Sequence, residues 1–162
     1  MTLAVETEIA GVPAGSDVRQ YVTFMVDDSI YGVDINLVRE IKQWSPTTVL
    51  PNQAHYTKGV LNLRGTIVPV HDLRARFGVG LTDATETHVV VIVLIGAKTV
   101  GILVDAVSDI IGVPNEDIRP VPGGQSMGDM SAIGGLVTAQ QGMVALLDLD
   151  TLFPHNDDTE FM

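Results

Sequence analysis

The sequence predicts an all-β protein: two small five-stranded barrels that share a hydrophobic seam and arise from an internal duplication. Two observations carry this. Short runs of β-branched and aromatic residues alternate with Gly-, Pro- and Asp-containing turns along the chain. The second half also repeats the first. At an offset of 69, Gly32 meets Gly101, Val38 meets Val107, Glu40 meets Asp109 and Ile41 meets Ile110. At an offset of 76, Gly59, Val68, Asp72, Leu73 and Phe77 meet Gly135, Val144, Asp148, Leu149 and Phe153. The seven extra residues fall between Ile110 and Gly135, where the Gly/Pro-rich stretch 121–128 reads as a loop that tolerates insertion. Two blocks in one order, with one loop absorbing the difference, imply a duplicated unit of about 70 residues, longer than solenoid periods.

The elements follow in order. Residues 1–17 read as a flexible lead. Residues 21–26 alternate Tyr21, Thr23 and Met25 against Val22, Phe24 and Val26, and the polar turn Asp27-Asp28-Ser29 leads to a partner strand over 30–34. Residues 36–41 carry a short helical signal. Strands over 59–63 and 66–70 pair as a hairpin across Arg64-Gly65, glycine suiting the positive φ of a tight turn. Residues 73–77 form a closing helical turn. The second half repeats the scheme with strands over 87–95, 99–104, 135–139 and 143–147 and a helical turn over 149–153. The folded domain is expected over 18–153, with repeats at 18–80 and 84–153, and an acidic tail over 154–162. An isolated strand pair is marginal, so each half must close on itself and pack against the other.

Composition narrows the function. The chain has 162 residues, 46% of them hydrophobic, enough for a real interior. It has no cysteine, which removes disulfides, thiolate metal sites and cysteine nucleophiles. The N-terminus lacks a signal-peptide pattern, and the longest apolar stretch, 89–95, is too short to span a bilayer, so a soluble cytoplasmic protein is expected. The formal charge is −11, unevenly spread. Residues 1–80 hold seven Lys/Arg against eight acids, a net of −1; residues 81–162 hold two against twelve, a net of −10. Such a balance disfavours nucleic acid and anionic lipid as partners. It either serves solubility or gives the halves different faces for different partners.

Catalytic signals are missing. His55, His71, His88 and His155 stand in no metal-ligand spacing. His71 and Asp72 are adjacent on a strand, which points them to opposite faces. Gly124-Gln125-Ser126-Met127-Gly128 approaches a nucleophile elbow but follows Pro-Gly rather than a strand, and it lacks the Gly-Lys-Ser/Thr ending of a phosphate loop. The recurring acids Asp72, Asp105, Asp148 and Asp150 read as caps of turns or short helices. No cofactor or metal and no enzymatic activity are expected.

Several segments then stand together: Gln20-Tyr21-Val22-Thr23-Phe24, Tyr31-Gly32-Val33-Asp34-Ile35 and Val38-Arg39-Glu40-Ile41. Residues 59–70, with Asn62-Leu63-Arg64-Gly65 at their centre, and Asp72-Leu73-Arg74 follow, then 100–109 and Ile118-Arg119-Pro120. In this order they resemble the CheW-type chemotaxis coupling proteins, over nearly the whole chain from Arg19 to Phe153. His71 departs from the apolar or small residue common there. The resemblance implies two intertwined SH3-like barrels. It also implies an adaptor that joins the cytoplasmic tips of transmembrane chemoreceptors to the regulatory domain of the histidine kinase CheA, at membrane-associated receptor arrays. Because that kinase domain resembles the adaptor, barrel-to-barrel contacts that include further CheW copies in rings follow as an expectation. Output other than swimming remains open, as does a small-ligand or metal-dependent β-barrel enzyme, which needs a polar pocket with convergent titratable groups.

The expected receptor groove comprises Val38, Glu40, Ile41, Arg64 and Val107. The valines and isoleucine, with Ile110, line a seam that offers an apolar groove to an amphipathic helix. Arg64 carries a planar fork suited to carboxylates, either a partner's or that of Glu40. Gly59, Gly65, Gly101 and Asp105 are candidates for contact with the kinase or a second barrel, or for close backbone fit. Trp44 is expected to pack into the core.

Overall fold

Ten strands form in the computed structural model, which describes residues 18–121 and 132–154. The first half runs β1 (Val18–Val26), β2 (Ser29–Asp34), a 3-10 turn (Ile35–Leu37), β3 (Val38–Gln43), β4 (Thr57–Leu63), β5 (Thr66–Asp72) and α1 (Leu73–Arg76). The second runs β6 (Val89–Ile95), β7 (Lys98–Val104), β8 (Ala106–Pro114), a 3-10 turn (Asn115–Asp117), β9 (Ile133–Ala139), β10 (Gly142–Leu147) and α2 (Leu149–Leu152). The expected lead, the loop over 122–128 and the tail beyond Pro154 lie outside the described residues.

The halves exchange strands. One sheet has the order β8-β1-β2-β10-β9, the other β3-β6-β7-β5-β4. Each third strand leaves its own half to lie antiparallel beside the first strand of the other, β8 on β1 and β3 on β6. Parallel pairs join β10 to β2 and β5 to β7. Residues 35–105 thus make one barrel without interruption, inserted between β2 and β8 of the other.

The repeat survives to the level of register. Gly32 faces Leu146 across one parallel pair, and Gly101 faces Val70 across the other. The offsets of 69 and 76 interconvert these pairs. Phe24 faces Val107, and its mate Val93 faces Val38. Beside each of these pairs the register slips by one residue, at Ser108 in β8 and at its mate Arg39 in β3.

Burial explains why β6 shows no alternation of apolar and polar residues. Val90 and Ile92 point into the interior of the inserted barrel, with Val68, Val70 and Leu103. Val91, Val93 and Ile95 point the other way, into a seam shared with Phe24, Val26 and Val33 of β1 and β2, Ile102 and Val104 of β7, and Leu73, Leu149 and Leu152 of the helical turns. A strand between two cores must be apolar on both faces. Tyr21, Val113, Val137, Val144 and Leu146 fill the second barrel. Trp44 packs, half-buried, against the inserted barrel's interior.

Two local expectations need correction. Residues 36–41 are not helical: Asp34 Oδ1 accepts from Asn36 N–H at 2.9 Å and closes only a 3-10 turn, after which β3 extends. Leu37, Val38 and Ile41 mimic helical spacing, but the pairing with β6 wins. No strand was expected over 106–114, where β8 runs. The exchange leaves the charge argument in place. By sequence, 35–105 carry seven basic residues against five acids, a net of +2, whereas 18–34 with 106–153 carry two against nine, a net of −7. Over the same residues the halves 18–80 and 81–153 also carry +2 and −7, so the barrels divide the charge as the halves do.

Candidate partner-binding site

β3 begins where the chain leaves the 3-10 turn, so Val38 lands at the junction of the barrels. It pairs with Val93 and packs, half-buried, against the seam cluster. Val107, its mate, pairs with Phe24 and packs against the same cluster. Further along β3, Ile41 is 45% exposed. An apolar side chain left in water on an edge strand is a ready contact.

Glu40 and Arg64 come together from elements 24 residues apart in sequence. Arg64 sits at the β4–β5 hairpin tip with φ +52, followed by Gly65 at φ +91. Both left-handed residues make a type I′-like turn, and Asn62 Oδ1 accepts from Gly65 N–H at 2.7 Å. That turn aims the guanidinium at β3, where it donates to Glu40 Oε2 and holds that carboxyl below the usual range. Arg64 stays exposed, so its remaining donors face solvent.

Of the other candidates, Gly65 shares the turn with Arg64, and Gly59, Gly101 and Asp105 lie apart from the pair. Gly59, at φ +146, is buried: a Cβ there would stand 2.6 Å from the Thr48 carbonyl oxygen, because Thr48 and Val60 exchange backbone bonds of 2.8 and 2.9 Å. Gly101 lies inside its sheet, where a Cβ would meet Val90 Cγ1 at 2.7 Å. A Cβ at Gly65 would meet nothing within 4 Å. Asp105, between β7 and β8, accepts from Asp27 N–H at 2.8 Å and lies 3.5 Å from His88 Nε2. His88 Nδ1 accepts from Thr85 N–H at 3.0 Å, which puts the neutral ring's proton on Nε2, toward Asp105.

Sequence reasoning did not find the buried Asp72–Thr82 contact. Asp72 Oδ1 accepts from Arg74 N–H at 3.2 Å, as a helix cap should, but both its oxygens are also taken by Thr82. His71, on the opposite face, is held by Thr57 Oγ1 at 3.0 Å and by the rings of Tyr56 and Phe153, centroids 5.0 and 4.7 Å away. Burial depresses its pKa to about 4. Among the described residues, no three His, Cys, Asp or Glu side chains converge as a metal site, and no helix is long and apolar enough to cross a membrane.

Residues 20–157 match the family model of the CheW-like domain. The chain is 38% identical over 139 residues to the chemotaxis protein CheW of Rhizobium meliloti, covering 86% of this chain and 90% of that one. It is 35% identical over 150 residues to the chemotaxis protein CheW of Klebsiella aerogenes, covering 93% and 89%. The crystal structure of the scaffolding protein TtCheW from Thermoanaerobacter tengcongensis superposes with a TM-score of 0.77 at 31% identity, covering 85% of this chain and 94% of that one. Exchanged barrels, matched registers and these relatives together place the chain in the CheW-like domain family.

Proposed function

We propose that this protein is a non-enzymatic chemotaxis adaptor that couples the cytoplasmic tips of chemoreceptors to the histidine kinase CheA, at receptor arrays in the cytoplasm. The observation that carries the reading is the junction itself. Val38 and Val107 approach one seam from its two symmetric sides, while Ile41 and the Arg64–Glu40 pair stand exposed on the same strand and the neighbouring hairpin tip. An amphipathic receptor helix finds there an apolar strip, Val38 and Ile41, on the seam face of β3, with the ion pair on the other face of the same edge strand. Glycines 59 and 101 act on backbone fit, and Asp105 acts at the barrel junction. Signal passes only where receptor states differ in contact free energy with the adaptor or the kinase. Weak contacts suffice because many are made at once in an array.

Co-sedimentation with receptor-containing membranes and the kinase tests this reading. Ile41→Lys and Val107→Lys are expected to lower the bound fraction, with Ile41→Lys leaving the thermal transition in place. Undiminished co-sedimentation by folded variants at both positions and at Arg64 would sink the site.

A further inference from the structure

The duplication makes the two barrel mouths a matched pair, and among the described residues only one is plugged. In the inserted barrel the chain leaving α1 folds back across the mouth. Thr82 donates its N–H to Asp72 Oδ2 and its hydroxyl to Asp72 Oδ1, both at 2.7 Å. Lys58 Nζ donates to the Thr82 carbonyl at 2.8 Å, Arg74 donates to the Leu81 carbonyl at 3.4 Å, and Ala84 packs on the barrel interior.

The same offsets place Asp148 where Asp72 stands, Asp150 for Arg74, Gly134 for Lys58 and Arg19 for His88. These mates line an open cavity of ≈570 Å³ with Leu94, Ile118 and Leu149 on its apolar walls. The Asp148 carboxylate is exposed and accepts from the Thr151 hydroxyl at 2.9 Å. Its backbone repeats its mate's: Asp148 N–H donates to Ala132 O and Asp72 N–H to Tyr56 O, at 2.8 and 2.7 Å. So the cavity keeps the backbone geometry of the plugged mouth at Asp148, leaves that carboxylate uncapped and exposed, and inverts the charge around it. The two cations that hold the plug's carbonyls are replaced by a glycine and a carboxylate. Asp34 adds a third acid, with the Arg19 guanidinium 4.0 Å from it.

The chain's own flanks lack the matching chemistry. Pro13 stands 69 residues before Thr82 and has neither N–H nor hydroxyl to give. Residues 1–17 and 154–162 hold no Lys or Arg, and the latter add Asp157, Asp158 and Glu160, the wrong charge for an acidic rim. We propose that this cavity docks an extended, basic segment of a partner protein. A Ser or Thr of that segment gives its N–H and hydroxyl to Asp148, as Thr82 does to Asp72, a neighbouring Lys or Arg meets Asp150, and a small apolar side chain rests on Leu94 and Ile118. This surface is separate from the Val38–Ile41 strip and independent of the coupling reading.

The test titrates the isotope-labelled full chain with a peptide of the sequence of residues 78–88 carrying Asp83→Lys and Glu86→Lys, followed by NMR. Shifts are expected to concentrate at 94–96 and 147–150 and to weaken with added salt. Affinity should fall about tenfold with Asp150→Lys in the protein, and by a similar factor with Thr82→Val in the peptide, which leaves the protein untouched. No shifts at millimolar peptide, shifts located elsewhere, or indifference to both changes overturn the proposal. NOE contacts from residues 1–17 or 155–162 to Leu94 and Ile118 in the peptide-free chain overturn it too, by giving the cavity to the chain's own flank.

Discussion

Thr82 takes both carboxylate oxygens of Asp72, and the carboxylate is fully buried. The segment between the two halves is therefore a structural part of the inserted barrel and not a tether.

Thr82→Val keeps the side-chain shape and the backbone bond but removes the hydroxyl from a buried carboxylate. A bond of this kind contributes about 1.5–3 kcal/mol, so urea denaturation should show a loss in that range. Asp72→Ala should cost more than Thr82→Val, since it strands the Thr82 N–H, the Thr82 hydroxyl and the Arg74 N–H together.

Gly101→Ala and Gly59→Ala should both destabilise, for different reasons. At 101 the new methyl overlaps Val90 in a filled core, and overpacking costs about 1–3 kcal/mol. At 59 it strikes the Thr48 carbonyl in a backbone conformation that disfavours a Cβ, so it should also open the Thr48–Val60 bridge. Faster amide exchange at Thr48 and Val60 in Gly59→Ala, and not in Gly101→Ala, is the expected signature.

His71 is neutral in its pocket, with its pKa lowered to about 4 against an ordinary 6.5. Above pH 6.5 neither the folded nor the unfolded state binds this proton, and stability is complete. Between 6.5 and 4 the unfolded chain takes the proton and the folded one does not, so stability falls, by at most about 3 kcal/mol once pH is below both values. Denaturation midpoints for His71→Gln should vary less across that window than those of the parent.

The strands that turn back on their neighbours were legible in the sequence, because alternation and turn chemistry are local. Arg64-Gly65 marks its hairpin, and the offsets of 69 and 76 reappear in the registers Gly32–Leu146 and Gly101–Val70. β3 and β8 were not legible. Their partners, β6 and β1, lie far away in sequence, and Leu37, Val38 and Ile41 fit helical spacing as well as an edge strand. The −1 and −10 of the halves become +2 and −7 once residues 1–17 and 154–162, each with three acids and no base, are set aside, and the barrels then divide in the same way. Glu40 and Arg64 were named as a possible pair, whereas Asp72 showed only its capping role, since Thr82 sits in a stretch with no periodicity.

The Arg64–Glu40 pair admits two roles that one cycle of substitutions separates. The contact is solvent-exposed, where ion pairs contribute little to folding, so Arg64→Glu and Glu40→Arg should each leave the denaturation midpoint nearly unchanged. If the pair only clamps the hairpin tip to β3, the double swap should restore co-sedimentation with receptors and kinase, because the bridge is rebuilt with its charges exchanged. If Arg64 spends its free donors on a partner carboxylate, the double swap should remain as defective as Arg64→Glu, because the partner then meets a like charge. We expect the second outcome. The pair occupies one edge of the guanidinium and leaves the rest of a planar, always-charged fork at the tip of a rigid turn, beside the exposed Ile41 strand.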